Sequence, residues 1–112
     1  MNDDATVLMV YITAATMAEA EALADVLITR RVAACVNILG SIQSRYEWKG
    51  VVEKSTEVAM VAKTTRQQFS ALKEVITSLH SYECPCIVAW PITNGHAPFL
   101  AWVKQSVRTD DH

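Results

Sequence analysis

Two cysteines and a histidine in the second half of this 112-residue chain have the types and spacing for metal chemistry. Cys84-Pro85-Cys86 places two thiols on one side of a strand, which suits a soft ion such as copper. His80 is close in sequence, and Cys35 can approach from a neighbouring strand. The spacing lacks the two pairs of ligands that a structural zinc site uses. The alternative is core packing, because free cysteine is among the most buried residue types.

A second group, Lys63-Thr64-Thr65-Arg66, leaves a predicted strand and enters a predicted helix. Backbone amides, hydroxyl groups and cations at a helix N-terminus can hold an anion, which makes Lys63, Thr65 and Arg66 the predicted anion ligands. The alternative is that Thr65 only caps the helix while both cations are solvated.

Catalytic motifs are missing from the sequence. No Ser or Cys pairs with His at a known spacing, and no glycine-rich loop is present to cradle a phosphate. The sequence therefore predicts a protein that is not an enzyme.

The elements that position these groups follow from the hydrophobic periodicity. Residues 7–12 and 86–90 are continuous apolar runs, typical of strands buried on both faces. Between and after them, apolar residues recur at helical spacing. Each of the first two helices is predicted to begin with a capping box. The capping pairs are Thr16 with Glu19 and Thr65 with Gln68.

A third, short helix is predicted to start near Pro98, because proline suits a first helical position. This helix is expected to bury Phe99, Trp102 and Val103. The element order is then β-α-β-β-α-β with a C-terminal helix in one domain, residues 1–112. We therefore predict an α+β, ferredoxin-like fold, an antiparallel sheet with two helices on one face.

A long central β-hairpin dominates the pattern between Ala33 and Thr64. The even positions of its first arm are mostly apolar and the odd positions mostly polar, as in a half-buried strand. A two-residue turn would put the apolar faces of the two arms out of phase. We therefore predict a three-residue turn, Trp48-Lys49-Gly50, with Gly50 in the left-handed position. The predicted pairs are Val36 with Ala62, Ile38 with Met60 and Tyr46 with Val52.

The arms of this hairpin are about three times the usual strand length of roughly 5–6 residues. A chain of 112 residues has too little protein to cover such a ribbon along its whole length. The ribbon is expected to lie against another copy of itself; the alternative is a ribbon that curls onto its own domain.

Composition limits the partners and the compartment. The net charge is −2, and no run of Lys or Arg stands out, so nucleic acid and an acidic membrane are not expected partners. No apolar run approaches the length of a membrane span. The acidic start of the chain argues against a secretory signal. An odd number of cysteines, three, fits reduced thiols in the cytoplasm.

Several segments together resemble the CutA family of divalent-cation tolerance proteins. Residues 31–37, with the order Arg-Val-Ala-Ala-Cys-Val-Asn, are similar to that family's Arg-Leu-Ala-Ala-Cys segment. Residues 46–50, Glu57, residues 63–64 and residues 80–85 fall where the family has matching segments. The resemblance implies a cytoplasmic homotrimer of ferredoxin-like subunits, joined by their hairpins. It establishes no chemical reaction.

The resemblance also implies two kinds of site. In the first, one carboxylate, one amine and aromatic side chains converge in a cleft between subunits that suits a small polar ligand. Interface packing is the alternative. The residues of this cleft are Tyr46, Trp48, Glu57, Lys63 and Tyr82. In the second, some bacterial members bind copper through a cysteine near the end of the first strand and a His doublet before the Tyr-containing loop. This chain has Ile12 and Leu79-His80 at those places, so it retains His80 alone.

Two functional classes follow. The first is a non-enzymatic trimer in the tolerance of and response to divalent metals, with copper at His80, Cys84 and Cys86. The second is a PII-like sensor that binds a small anion or a nucleotide in the cleft between subunits.

Overall fold

A computed structural model describes residues 3–109; residues 1–2 lie outside it, as does the segment 110–112 that the sequence predicts to fray. A short 3-10 turn, Asp3–Ala5, precedes the first strand. The elements are β1 (Val7–Ala14), α1 (Met17–Thr29), β2 (Cys35–Trp48), β3 (Val51–Thr65), α2 (Arg66–Leu79), β4 (Ile87–Pro91) and α3 (Ala97–Ser106). The four strands form one antiparallel sheet in the order β2-β3-β1-β4. The predicted α+β fold with a C-terminal helix is confirmed.

One face of the sheet is covered by α1 and α2. Because successive strand residues point to opposite faces, alternate residues of β1 and β3 meet the two helices. Each large aliphatic side chain buried there contributes roughly 1.5–3 kcal/mol. The residues at the centre of this core are Val10, Ile12, Leu23, Leu27, Met60, Ala62, Leu72 and Ile76. We call this side of the sheet the helix-covered face.

Of the two predicted capping boxes, the structure contains the first and not the second. At α1, Thr16 Oγ1 accepts a hydrogen bond from the Glu19 amide at 3.1 Å. The Glu19 carboxylate accepts from the amide of Ala15, one residue before the cap. The second box is wrong: Thr65 makes no side-chain cap, and Gln68 is fully buried. Its side-chain amide donates to a carbonyl that follows α3 instead.

The hairpin turn is a two-residue turn, Lys49-Gly50, and the predicted three-residue turn is wrong. Both turn residues have positive φ, 52° and 83°, as a type I′ turn requires. Strand pairing near the open end of the hairpin agrees with the prediction, with Val36 opposite Ala62 and Ile38 opposite Met60. At the tip, Tyr46 pairs with Glu53 rather than with Val52.

A β-bulge between Ile38 and Gly40 reconciles these two registers. The bulge inserts one extra residue, Leu39, into β2, and Gly40 takes a φ of 118° beside it. One inserted residue also exchanges the two faces of a strand. Even positions before the bulge therefore face α1 and α2, whereas Ile42, Tyr46 and Trp48 face the opposite side of the sheet.

The opposite side, here called the second face, is only partly covered. α3 contacts β3 and β1 there and buries Val103 completely. Phe99 and Trp102 of α3 are exposed, so the prediction that they are buried is wrong. The expected burial of residues 86–90 is also wrong, because β4 is an edge strand with no neighbour beyond it, and Val88 and Trp90 are exposed.

None of the helices within residues 3–109 combines the length and the apolar character that crossing a lipid bilayer requires.

Candidate functional site

A cleft of about 700 Å³ opens on the second face. Its floor is formed by Tyr11 and Thr13 of β1, and one wall by the part of the hairpin beyond the bulge. The loop between α2 and β4 forms the other wall. The hairpin contributes Ile42, Ser44, Tyr46, Trp48, Glu53 and Glu57, and the loop contributes Ser81, Tyr82, Glu83, Cys84 and Cys86. The volume lies in the range of pockets that bind small molecules.

The most buried carboxylate of the cleft is that of Glu57. Its side chain lies on β3, and the residue is only 8% exposed. The hydroxyl of Tyr82 donates a hydrogen bond to Glu57 Oε1 at 3.0 Å. Burial, together with this hydrogen bond and the Glu57 charge, raises the pKa of Tyr82 to about 12. Tyr82 therefore keeps its proton and acts as a donor at neutral pH.

His80 holds Tyr82 in place. Its Nε2 lies 2.7 Å from the carbonyl oxygen of Thr13, and because a carbonyl only accepts, Nε2 carries the proton. Its Nδ1 accepts a hydrogen bond from the Tyr82 amide at 3.0 Å. The two rings also stack at 4.6 Å between centroids. Both nitrogens of this buried ring are occupied, so in this arrangement His80 offers no lone pair to a metal ion.

Glu19 anchors the same loop, a role that the sequence analysis missed. Besides the amide of Ala15, its carboxylate accepts hydrogen bonds from the amide and the hydroxyl of Ser81, at 2.8 and 3.1 Å. These bonds lower the pKa of Glu19 against the raising effect of burial. The capping pattern identified Glu19 as a helix-start residue, but nothing local in the sequence connects it with a loop 62 positions away.

The thiols of Cys84 and Cys86 both lie on the loop wall of the cleft, and both residues are exposed. Burial of the thiol, followed by the charge of Glu57, raises the pKa of Cys86. Cys35 is opposite Lys63 in the sheet, on the far side of the bulge, and does not join them. Within residues 3–109, no group of three His, Cys, Asp or Glu side chains is arranged to hold a metal ion.

Four of the five predicted cleft residues come together in one chain: Tyr46, Trp48, Glu57 and Tyr82. Lys63 does not line the cleft. It lies six residues from Glu57 along β3, which is about 20 Å at the usual rise of a strand. Its amino group is 2.6 Å from Asn37 Oδ1 and 6.0 Å from the centre of the Phe99 ring.

The three predicted anion ligands are also separated. Lys63 is on the second face, whereas Arg66 lines a groove beside Phe69 and Trp90 on the other side of the sheet. The Arg66 amide, the first of α2, donates to the carbonyl of Thr6. The hydroxyl of Thr65 is buried without a partner among the described residues.

The charge of the cleft is negative. Among the described residues, its lining includes three carboxylates, Glu53, Glu57 and Glu83, and no Lys, Arg or His side chain. This charge is opposite to the one that a site for a phosphate or a nucleotide needs.

Comparison with known proteins identifies the family. The family model described as "CutA1 divalent ion tolerance protein" matches residues 8–106. The chain belongs to this CutA1 family. It is 42% identical over 98 residues to the divalent-cation tolerance protein CutA of Archaeoglobus fulgidus, which covers 88% of this chain and 95% of that one. Against the human protein CutA the identity is 38% over 95 residues, and the match spans 53% of that longer protein.

Solved structures of this family share the fold. The Archaeoglobus fulgidus structure, described as a periplasmic divalent cation tolerance protein, has a TM-score of 0.88 at 40% identity and covers 91% of this chain and 99% of that one. CutA1 from Oryza sativa has a TM-score of 0.91 at 34% identity and covers 96% and 98%.

Proposed function

We propose that this chain acts in the tolerance of divalent metals, copper in particular, as a homotrimer that catalyses no reaction. Membership of the CutA1 family supports the connection with divalent ions. The observation that carries the copper assignment is the presence of two exposed thiols, Cys84 and Cys86, on one wall of the cleft. Thiolates select Cu(I), the reduced state of copper in the cytoplasm.

The donor set suits a soft ion with few ligands better than a hard divalent ion. A hard ion such as Mg²⁺ or Ca²⁺ takes about six or more oxygen ligands, and no such group is present within residues 3–109. His80 would have to give up one of its two hydrogen bonds before it could coordinate copper. We therefore assign Cys84 and Cys86 as the principal ligands and give His80 the role of positioning Tyr82.

Titration with Cu(I) under reducing conditions, against a competing chelator, tests this assignment. The variant Cys84→Ser/Cys86→Ser should lose binding, whereas His80→Ala and the control Cys35→Ser should keep it. Binding should be tighter at pH 8 than at pH 6, because each ligand must lose its proton. Because the pKa of Cys86 is raised, the increase in copper affinity with pH extends further into the alkaline range. Unchanged affinity in the double-cysteine variant would contradict the assignment.

The homotrimer is supported by apolar side chains that the single chain leaves exposed around the hairpin tip. Val52 is 69% exposed on the side opposite the cleft, and Trp48 is 45% exposed on the cleft side. Trp90 on the edge strand is 45% exposed as well. Two strands alone are marginal in water, so the tip requires support from outside the chain. Another copy of the same chain supplies apolar surface of the same kind.

Native mass spectrometry and sedimentation test the trimer. The wild-type protein should be a trimer at micromolar concentration. Val52→Ser should weaken assembly by about tenfold or more, as truncation of an interface residue that contributes over 1 kcal/mol does. The matched control is Leu79→Ser, since Leu79 is 50% exposed at the end of α2, away from the hairpin. A stable wild-type monomer, or equal effects of the two substitutions, would rule out hairpin-mediated assembly.

We also place the protein in the cytoplasm. All three cysteines are free, which fits a reducing compartment. Secretion of the intact protein into the periplasm, detected by cell fractionation, would contradict this placement.

A further inference from the structure

We propose that the cleft binds a small organic cation with N–H donors, an alkylammonium or guanidinium group, between the rings of Tyr46 and Tyr82 and the carboxylate of Glu57. This site is separate from the copper site in its chemistry, because it uses oxygen and aromatic rings rather than thiols. It does not depend on the copper assignment.

The first argument is an unbalanced buried charge. Glu57 is more than nine-tenths buried and faces the cleft. Within residues 3–109, no Lys, Arg or His side chain forms an ion pair with it. Its only hydrogen bond there is the one from Tyr82 to Oε1, which leaves Oε2 without a protein donor and accessible from the cleft. Buried charges in proteins are normally paired, so a cationic ligand would complete this environment.

The second argument is the electrostatic character of the whole cleft. Glu53 and Glu83 add two further carboxylates to its lining, and none of residues 3–109 contributes a basic side chain to it. The charge of Glu57 contributes to the raised pKa values of both Tyr82 and Cys86, which means that the cleft disfavours further negative charge. The same potential favours a positive ligand.

The aromatic rings decide between an organic cation and a metal ion. Tyr82, which is hydrogen-bonded to Glu57, and Tyr46 supply ring surface, and ring faces attract ammonium and guanidinium groups. A hard metal ion would lose its water shell against these rings without gaining oxygen ligands. The free Oε2 atom favours a cation that donates a hydrogen bond over a quaternary ammonium.

Calorimetric titration of the assembled wild-type protein with putrescine, in reducing buffer with a metal chelator, tests the proposal. Putrescine and guanidinium should bind, whereas neutral 1-butanol and inorganic phosphate should not. Tetramethylammonium should bind more weakly than putrescine, because it has no N–H donor. Phosphate binding without putrescine binding would overturn the proposal.

Two variants separate a specific site from general attraction to an acidic protein. Glu57→Gln should weaken putrescine binding by about tenfold or more. The matched control is Glu47→Gln, which removes the same charge from the hairpin at a residue outside the cleft lining. Equal losses in the two variants would show ionic attraction only and would overturn the proposal. Tyr46→Leu, which keeps the charge and removes a ring, should also weaken binding.

The double-cysteine variant distinguishes this inference from the copper assignment. Cys84→Ser/Cys86→Ser should keep putrescine binding while it loses copper binding. Loss of putrescine binding in the double-cysteine variant would show that the thiols, and not Glu57 and the rings, hold the ligand, and would overturn the inference. Sedimentation of every variant checks that the assembly is intact.

Discussion

The two faces of the sheet differ in what covers them, although they are built from alternate residues of the same strands. On the helix-covered face, Val10, Ile12, Met60 and Ala62 are fully buried under α1 and α2. On the second face, α3 covers one end, and the other end is an open cleft with exposed aromatic residues. One face therefore stabilises the single chain, and the other is left for binding and association.

The bulge at Leu39 determines which residues of β2 pack in the core and which line the cleft. Without it, Ile42, Tyr46 and Trp48 would continue the face that Val36 and Ile38 occupy. With it, they turn to the second face and form a wall of the cleft. Leu39 itself is 62% exposed, so its role is to change the register and not to pack. The cleft thus depends on one inserted residue.

The largest loss of stability is expected for a substitution on the helix-covered face. Met60→Ala removes a fully buried side chain from the core and should lower the free energy of unfolding by about 2–5 kcal/mol. Chemical denaturation measures the loss. The control is Leu79→Ala, at a half-exposed position on α2. Equal losses for the two variants would mean that the face under the helices is not the principal core.

A smaller effect is expected at the bulge. Gly40→Ala places a side chain at a φ of 118°, so it should cost about 1–3 kcal/mol through backbone strain alone. Nothing lies within 4 Å of the added Cβ, which excludes a clash as the cause. Ser41→Ala is the control, at an exposed neighbouring residue of ordinary conformation. If Gly40→Ala is as stable as the wild type, the bulge is not held by the glycine conformation.

The smallest effect is a pH dependence of the second face. The pKa of Tyr82 is about 12 in the folded chain and about 10 in an unfolded one. The folded chain holds the Tyr82 proton more tightly than the unfolded chain does, and this difference stabilises the fold. The contribution is fully present below pH 10 and is lost as the pH rises through about 12, because the unfolded chain releases the proton first. Wild-type stability should therefore fall relative to Tyr82→Phe over that interval, as measured by denaturation at stepped pH values. Glu57→Gln should shift the midpoint of the Tyr82 titration towards 10; an unchanged midpoint would remove Glu57 as a cause.

Much of the candidate site was accessible from the sequence, through the family resemblance. Tyr46, Trp48, Glu57 and Tyr82 were expected in one cleft, and the structure brings them together. Lys63 was expected with them in a cleft between subunits; within one chain it lies on the same strand as Glu57, about 20 Å away at the usual strand rise, so its place in that cleft stays a prediction. The anchoring of the loop by Glu19 and His80 was not expected, because those contacts join residues more than 60 positions apart.

The sequence by itself determined the order of helices and strands, since each element follows from the periodicity of its own residues. It also determined the base of the hairpin, where the apolar positions of both arms face one core. Only the tertiary structure decided the register of the tip. Apolar residues continue at even positions through the bulge, because the core on one face and the cleft on the other both take apolar side chains. The sequence pattern therefore shows no break where the strand changes faces. The negative charge of the cleft was decided in the same way, because Glu53, Glu57 and Glu83 are brought together by the fold and not by their spacing.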